Sequence, residues 1–503
     1  MSESNAFAKR VALSFVFSGV GNVLGRIGNV VAIFAVLKLL SPEEFGLASL
    51  VLAIFVVLQA LTELGLGVAL VQAREVTRSS LDSLFWLSAA LAVGLWGVVA
   101  AGAPVMAWFY DEPDLTPLLR VTALGIVLFS LYLIPRNLMV RDLQFGRIAI
   151  ADNAGLALSA GTMITFAWLG WGPWAIVLGE LANRLGQCIL CFGFRPFIPR
   201  LRFAWDEISA MTRFGLWATG ARLVGTLYKN IDFLIVGKAF GPEAVGLYAL
   251  AYRVVHDPVR TLSNIVSQVA FPAFARLQRE RDRLRTYVFA FARISLTLTG
   301  TLIIVVALWI DLLLTLISFD HWLDAVPIIH ILVLAAVLQA ITPILSKLID
   351  AVGQARFNFM HSAGSLVFMT TAFLVGTRFG LEGVAWAWVV AFPFAWATKI
   401  VFCAWRTELP PLRFGLLFLG GLPSLVPVLA VGLTLRFGTP DLLENHPLAV
   451  TTGGALLTVL TGLGVGALRE RPMLRILWQE RQEKKRARRG DRPDPGAAPA
   501  DDP

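Results

Sequence analysis

The chain is poor in cysteine, histidine and charge. Only 3 Cys and 5 His occur in 503 residues, too few for a disulfide scaffold or a His/Cys metal cluster. Asp, Glu, Lys and Arg together make up 15%, against roughly 25% in an ordinary soluble domain, which excludes a soluble globular protein. In their place stand 57% hydrophobic residues, with 34 Phe and 15 Trp, and the mean hydropathy is +0.71. The composition is that of an all-α, polytopic membrane protein. The apolar runs are too long and continuous for the alternating strands of a barrel.

A helix crosses the hydrocarbon core with about 20 apolar residues. On that measure the sequence predicts about 14 spans, near 12–38, 46–70, 82–109, 116–138, 148–169, 173–194, 212–237, 244–272, 287–310, 325–349, 357–377, 381–404, 414–435 and 447–468. The net charge of +9 follows the same frame. With Lys9 and Arg10 cytoplasmic, the connections on that side carry Arg74, Arg78, Arg136, Arg141 and Arg147, then the groups 195–213 and 276–285. Lys347, Arg356, Lys399, Arg406, Arg413 and the basic tail follow. The opposite face has only Lys38, Lys238, Arg378 and Arg436. This asymmetry places both termini in the cytoplasm, and it explains the basic balance without a nucleic-acid partner. The first apolar run is long enough to span and lacks a short cleavable h-region, so it is expected to be an uncleaved helix.

Residues 36–50, VLKLLSPEEFGLASL, recur as VGKAFGPEAVGLYAL at 236–250. The two stretches share Val36/Val236, Lys38/Lys238, Pro42/Pro242, Glu43/Glu243, Gly46/Gly246, Leu47/Leu247 and Leu50/Leu250, where chance pairing gives roughly one identity. A shift of six helices keeps the orientation, so the pattern predicts two parallel six-helix bundles, an arrangement frequent in transporters. The expected divisions are 1–195 for the first bundle, 196–211 for a cytoplasmic interfacial linker and 212–404 for the second bundle. Two extra helices fill 405–468, and 469–503 is a basic tail expected to be disordered.

Charges inside spans are costly, about 2.5–3.5 kcal/mol each at the bilayer centre, and so should face a cavity or a partner. The intramembrane cations are Arg26, Arg120, Arg184, Arg222, Lys229, Arg253, Arg260 and Arg293; the acids are Glu63, Asp152, Glu180, Asp232 and Asp257. Glu180 and Arg184 stand at i, i+4 and should pair. Arg222, Lys229 and Asp232 share a broad stripe, as do Arg253, His256, Asp257 and Arg260. A cation-rich cavity suits an anionic substrate, and arginine suits phosphate, which it grips bidentately. Arg26, Arg253, Arg222, Lys229 and Arg260 are therefore the candidate substrate-binding residues. The simpler reading pairs Arg26 and Arg253 with neighbouring carboxylates. Asp232 and Glu63 are either ion-coupling sites or partners of these arginines, and the sequence leaves both open. Cys188 and Cys191, with no further Cys or His nearby, read as packing residues; no catalytic, metal or cofactor site emerges.

Several segments together resemble the polysaccharide-transporter family of Wzx-like oligosaccharide flippases. They are LSPEEFGLASLVLAIFVVLQALTELGLGVALVQ (40–72), RDLQFG (141–146), NIDFLIVG (230–237), GPEAVGLYALAYRVVHDP (241–258) and FPAFARLQ (271–278). The resemblance implies a V-shaped helical transporter of the superfamily that also holds multidrug exporters and the peptidoglycan-lipid flippase. It implies alternating-access movement of undecaprenyl-pyrophosphate-linked oligosaccharide across a bacterial inner membrane for cell-surface or exopolysaccharide synthesis. Membrane lipids and other proteins of the pathway are the implied partners. By position in these motifs Arg26 and Arg253 resemble the cavity arginines of the flippases. The rivals are a drug or metabolite-cation antiporter of the same superfamily, which a cationic cavity disfavours, and a membrane-embedded glycosyltransferase, acyltransferase or polymerase. The latter would need a catalytic constellation that is missing from the sequence.

Overall fold

A computed structural model describes residue 28 and residues 31–62, 66–73, 76–438 and 446–469. Among the described residues the chain is helical with no β-strand. Eleven helical stretches are long and apolar enough to cross a membrane. Two of them, Thr219–Leu277 with 59 residues and Arg356–Arg406 with 51, each cover two of the spans expected from sequence. The first expected span lies mostly outside the described residues. Helices are the physical answer to a hydrocarbon solvent, because each satisfies its own backbone groups without a neighbour.

Helix boundaries follow local chemistry. Ser41 and Glu44 form a reciprocal capping box at the start of Pro42–Thr62: Glu44 Oε2 accepts from Ser41 N at 2.9 Å, and Ser41 Oγ accepts from Glu44 N at 3.2 Å. Pro42 occupies the first turn, where its missing N–H costs nothing. Helix Arg78–Tyr110 begins at Thr77, whose Oγ1 accepts from Ser80 N at 3.0 Å, and ends at Asp111 in the left-handed region. In the second copy of the repeat the helix Trp205–Leu277 is interrupted by Gly241 at φ 80°, ψ −176°, a conformation open only to glycine.

The chain divides into two compact units. One comprises Met1–Arg253, Ser318–Leu332 and Phe359–Ala395; the other comprises Val254–Ile317, Val333–Asn358 and Trp396–Pro503. Within the first unit, residues 196–204 run without helix over the start of Arg78–Tyr110. Arg200 N donates to Asp82 Oδ1 at 3.2 Å, Ala204 N to Ser83 Oγ at 2.8 Å and Trp86 Nε1 to Arg200 O at 2.8 Å. Phe197 is buried beneath the Arg78 guanidinium, 4.4 Å from its ring centre. Thus the linker is fastened as a strap, with Ile198, Leu201 and Trp205 left exposed.

Several cations assigned to connections by sequence lie in helices, Arg136 and Lys399 among them. Arg136 lies within Leu124–Arg141, and Lys399 lies within Phe392–Arg406, 7% exposed, donating to Ser346 Oγ at 2.7 Å. Counting charges near span ends cannot separate such residues from true loop cations.

The second unit is centred on Arg281–Leu316, against which Leu425–Phe437 and Pro447–Arg469 pack through small residues. Gly432 abuts Leu308 and Thr458, Gly454 lies on the Trp309 ring, and Gly462 lies on Thr301. A Cβ at Gly454 or Gly462 would overlap those side chains, whereas one at Gly453 would meet open space. Gly462→Val should therefore destabilise the detergent-solubilised protein by about 1–3 kcal/mol, read as a lower thermal unfolding midpoint. Gly453→Ala should leave the midpoint in place; equal midpoints for both variants would contradict the packing.

Candidate functional site

The two repeated segments meet each other. Gly46, at the start of the first copy's helix, lies so close to the second copy that a Cβ there would overlap the Pro242 carbonyl. A Cβ at Gly246 would overlap the Pro42 carbonyl in turn. Residue 46 meets 242 and residue 246 meets 42, which is the reciprocity of a local two-fold axis. Only glycine permits this approach of backbone to backbone. Around the contact, Val36 and Val236 are both fully buried, as are Leu50 and Leu250. The flanks are also fixed. Trp322 packs edge-on against Phe45 at 5.6 Å and donates from Nε1 to Leu37 O at 3.0 Å. The Arg253 guanidinium stands 5.2 Å from the centre of the Phe45 ring.

At the rim of this seam Lys238 Nζ donates to Asp111 Oδ2 at 2.9 Å. The neighbouring Glu112 carboxyl is pushed above its ordinary value, first by burial and then by the carboxylates of Glu43, Asp114 and Asp111.

Behind the second copy sits a buried polar cluster. Asp232 is fully buried. Its Oδ2 accepts from Tyr248 O–H at 2.9 Å and from Trp388 Nε1 at 3.3 Å, and its Oδ1 accepts from Phe233 N at 3.0 Å. Trp388 Nε1 also donates to the Tyr248 oxygen at 2.9 Å. These neutral donors replace the water that a carboxylate loses on burial.

A polar cavity of about 490 Å³ opens elsewhere in the same unit, lined by Tyr132, Arg136, Asn137, Asp152, Arg184 and Arg222 among others. Arg136 grips Asp152 bidentately, with Nη1–Oδ1 at 2.6 Å and Nη2–Oδ2 at 3.0 Å. Arg184 donates from Nε to Glu180 Oε1 at 2.7 Å and from Nη2 to Gln59 Oε1 at 3.1 Å. Tyr132 O–H donates to Gln187 Oε1 at 2.5 Å. The ion pairs make the wall polar while keeping its charge nearly balanced, and Arg222 adds a further cation. Such a lining can hold a hydroxyl-rich or anionic group.

Of the residues singled out in the sequence, Arg222 lines this cavity and Asp232 anchors the buried cluster. Lys229 is exposed on the same helix. Arg253 stands over Phe45 beside the seam. Arg260 is exposed and paired with Asp257 at 2.9 Å. His256, expected to share a cavity-facing stripe with them, is buried at 2% exposure. Arg26 and Glu63 lie outside the described residues. The Glu180–Arg184 pair forms at the spacing expected. Sequence reasoning missed Arg136, counted as a loop cation, and the Tyr248–Trp388 partners of Asp232. The signal for Arg136 was present: an arginine within two turns of a span end and an unassigned intramembrane Asp152 on the next helix.

Known proteins resemble this chain in sequence and fold. The profile of the family described as "Polysaccharide biosynthesis protein" matches residues 35–327. The teichuronic acid biosynthesis protein TuaB of Bacillus subtilis is 26% identical over 335 residues, covering 66% of this chain and 69% of that protein. The lipopolysaccharide biosynthesis protein WzxC of Escherichia coli is 23% identical over 411 residues, 79% of this chain and 83% of the relative. The succinoglycan biosynthesis transport protein ExoT of Rhizobium meliloti is 24% identical over 464 residues, 90% and 91% respectively. In fold, the chain is similar to the lipid II flippase MurJ in an inward closed conformation, with TM-score 0.70 at 13% identity, over 91% of this chain and all of that one. An inward-facing multidrug transporter of the MATE family aligns with TM-score 0.62 at 14% identity, over 76% and 94%.

The cluster at Asp232 gives a direct test. Tyr248→Phe removes one donor to a buried carboxylate and should cost about 1–3 kcal/mol, measured by thermal unfolding of the purified protein. An unchanged midpoint would mean that the carboxylate does not depend on this bond.

Proposed function

Because the chain belongs to the polysaccharide biosynthesis family, whose profile covers more than half of it, we propose that it is a flippase for lipid-linked oligosaccharide, a transporter and not an enzyme. It would carry an undecaprenyl-pyrophosphate-linked glycan across a bacterial inner membrane for cell-surface or exopolysaccharide synthesis. The printed roles of TuaB, WzxC and ExoT in polysaccharide biosynthesis support the substrate class.

The observation that carries the reading is the reciprocal contact of Gly46 with Pro242 and Gly246 with Pro42. A repeated element that closes on its own copy is a seal, and alternating access requires a seal that opens and reforms. The positive-inside pattern puts this seam on the extracytoplasmic side, so the state described is closed there. The polar cavity lined by Arg136, Arg184 and Arg222 suits the hydroxyls and acidic groups of a glycan. In this reading Arg253, beside the seam, meets the pyrophosphate, and Arg26, Lys229 and Arg260 are the further candidate cations for it. The polyprenyl tail stays in lipid, which removes the largest apolar part of the substrate from the polar path. Asp232 holds Tyr248 and Trp388 in place and is the candidate for coupling to an ion gradient, with Glu63. Both termini would then be cytoplasmic. The excess of cations disfavours a cation antiporter, which would face them as repulsion.

Surface polysaccharide export in cells whose only copy is a variant tests this reading. Gly246→Val should abolish export with normal membrane levels, because the added carbons keep the seam from closing. Arg253→Gln should reduce export about tenfold or more, the loss of a charged hydrogen bond. Gly220→Ala, at a position with open space around it, should export normally. Full export by Gly246→Val would refute the seam as a gate.

A further inference from the structure

The second unit holds a pocket whose lining residues have no role in the reading above. It has a volume of about 510 Å³ and is lined by Arg281, Val401, Trp405, Arg406, Glu408 and Leu409. It sits in the connection between two membrane-crossing stretches, which end at Arg406 and resume at Pro411. A pocket at that depth faces lipid headgroups. Trp405, 69% exposed at the end of an apolar helix, occupies the position that tryptophan favours at the membrane–water boundary.

The charged groups of this pocket have different duties. Arg281 is engaged by Glu408. Arg285, just behind, donates from Nε to Thr407 O at 2.6 Å and from Nη2 to Glu408 O at 3.4 Å. These bonds satisfy carbonyls at the helix end and hold Glu408 at φ 54°. They are framework. Arg406 is different: its guanidinium stands 5.5 Å from the centre of the Trp405 ring, and its Nε is buried with no hydrogen-bond partner among the described residues. A buried cationic N–H left unsatisfied is costly, so its presence beside an open pocket points to an acceptor that arrives from outside.

We propose that this pocket binds the headgroup of an anionic phospholipid. The phosphate oxygens accept from Arg406, and the first acyl carbons lie over Val401 and Trp405. A phosphate fits the guanidinium fork. Two arginines against one glutamate leave a positive excess that favours an anionic over a zwitterionic headgroup. Its residues are none of those assigned above to the glycan, and its occupation ties the end of Phe392–Arg406 to one leaflet.

Native mass spectrometry of the full chain in detergent tests this, with phosphatidylglycerol, phosphatidylcholine and inorganic phosphate as separate probes. Phosphatidylglycerol should be retained in preference to phosphatidylcholine, and Arg406→Gln should weaken it about tenfold. Trp405→Ala, which keeps the charge and loses the apolar wall, should weaken it as well, and covers the case in which Arg406→Gln fails to fold. Arg378→Gln, removing a cation elsewhere, should not. Equal retention of both lipids, or unchanged phosphatidylglycerol binding in both pocket variants, would overturn the proposal. If inorganic phosphate binds at Arg406 as strongly as the lipid does, the lipid assignment falls and the pocket is a site for free phosphate.

Discussion

The approach of two backbone segments at Gly46 and Gly246 is the constraint on which the first unit is organised. Each glycine faces the carbonyl of the other copy's proline, with no room for a Cβ on either side. A contact of this kind gives little hydrophobic stabilisation of its own, because so little side chain is buried in it. What it provides is fit: either the two copies are in register and touch, or they separate. The surrounding groups favour the touching state, with Trp322 clamping Phe45 and bonded to Leu37, and Lys238 bonded to Asp111. In the proposed reading this contact is the seal, and the Lys238–Asp111 and Trp322–Leu37 bonds are those that break when it reopens.

A second constraint is the cost of charge at hydrocarbon depth. The chain meets it in three ways. Arg136 with Asp152 and Arg184 with Glu180 are cancelled in pairs beside a cavity. Asp232 is held by neutral donors from Tyr248 and Trp388. Arg436 reaches Asp311 at 2.6 Å near the ends of their helices. Paired charges of this kind keep a wall polar without a strong field of one sign, which a glycan with many hydroxyls can cross by exchanging hydrogen bonds.

Much of this was legible in the sequence, and what was hidden has physical reasons. The apolar runs located the helices of the described residues, since a run of apolar residues is a local quantity. The repeat was visible as identities at 36–50 and 236–250, but nothing in a linear pattern says that two copies press against one another. Glu180 and Arg184 were readable as a pair because a helix fixes i, i+4. Arg136 and Asp152 lie on consecutive helices, and their meeting depends on how those helices cross. Asp232 was marked as a buried acid, yet its partner Trp388 is 156 residues away. The repeat predicts a division at the linker 196–211, whereas packing groups Met1–Arg253 with two later segments. The two divisions answer different questions.

The most direct measurement reconstitutes the purified protein in liposomes carrying a fluorescent polyprenyl-pyrophosphate-linked oligosaccharide. A membrane-impermeant reagent then reports which leaflet holds the glycan over time. Exchange between leaflets is expected well above that of empty liposomes, with its loss in the Gly246→Val protein. Exchange no faster than in empty liposomes, or equally fast in that variant, would contradict the proposed function.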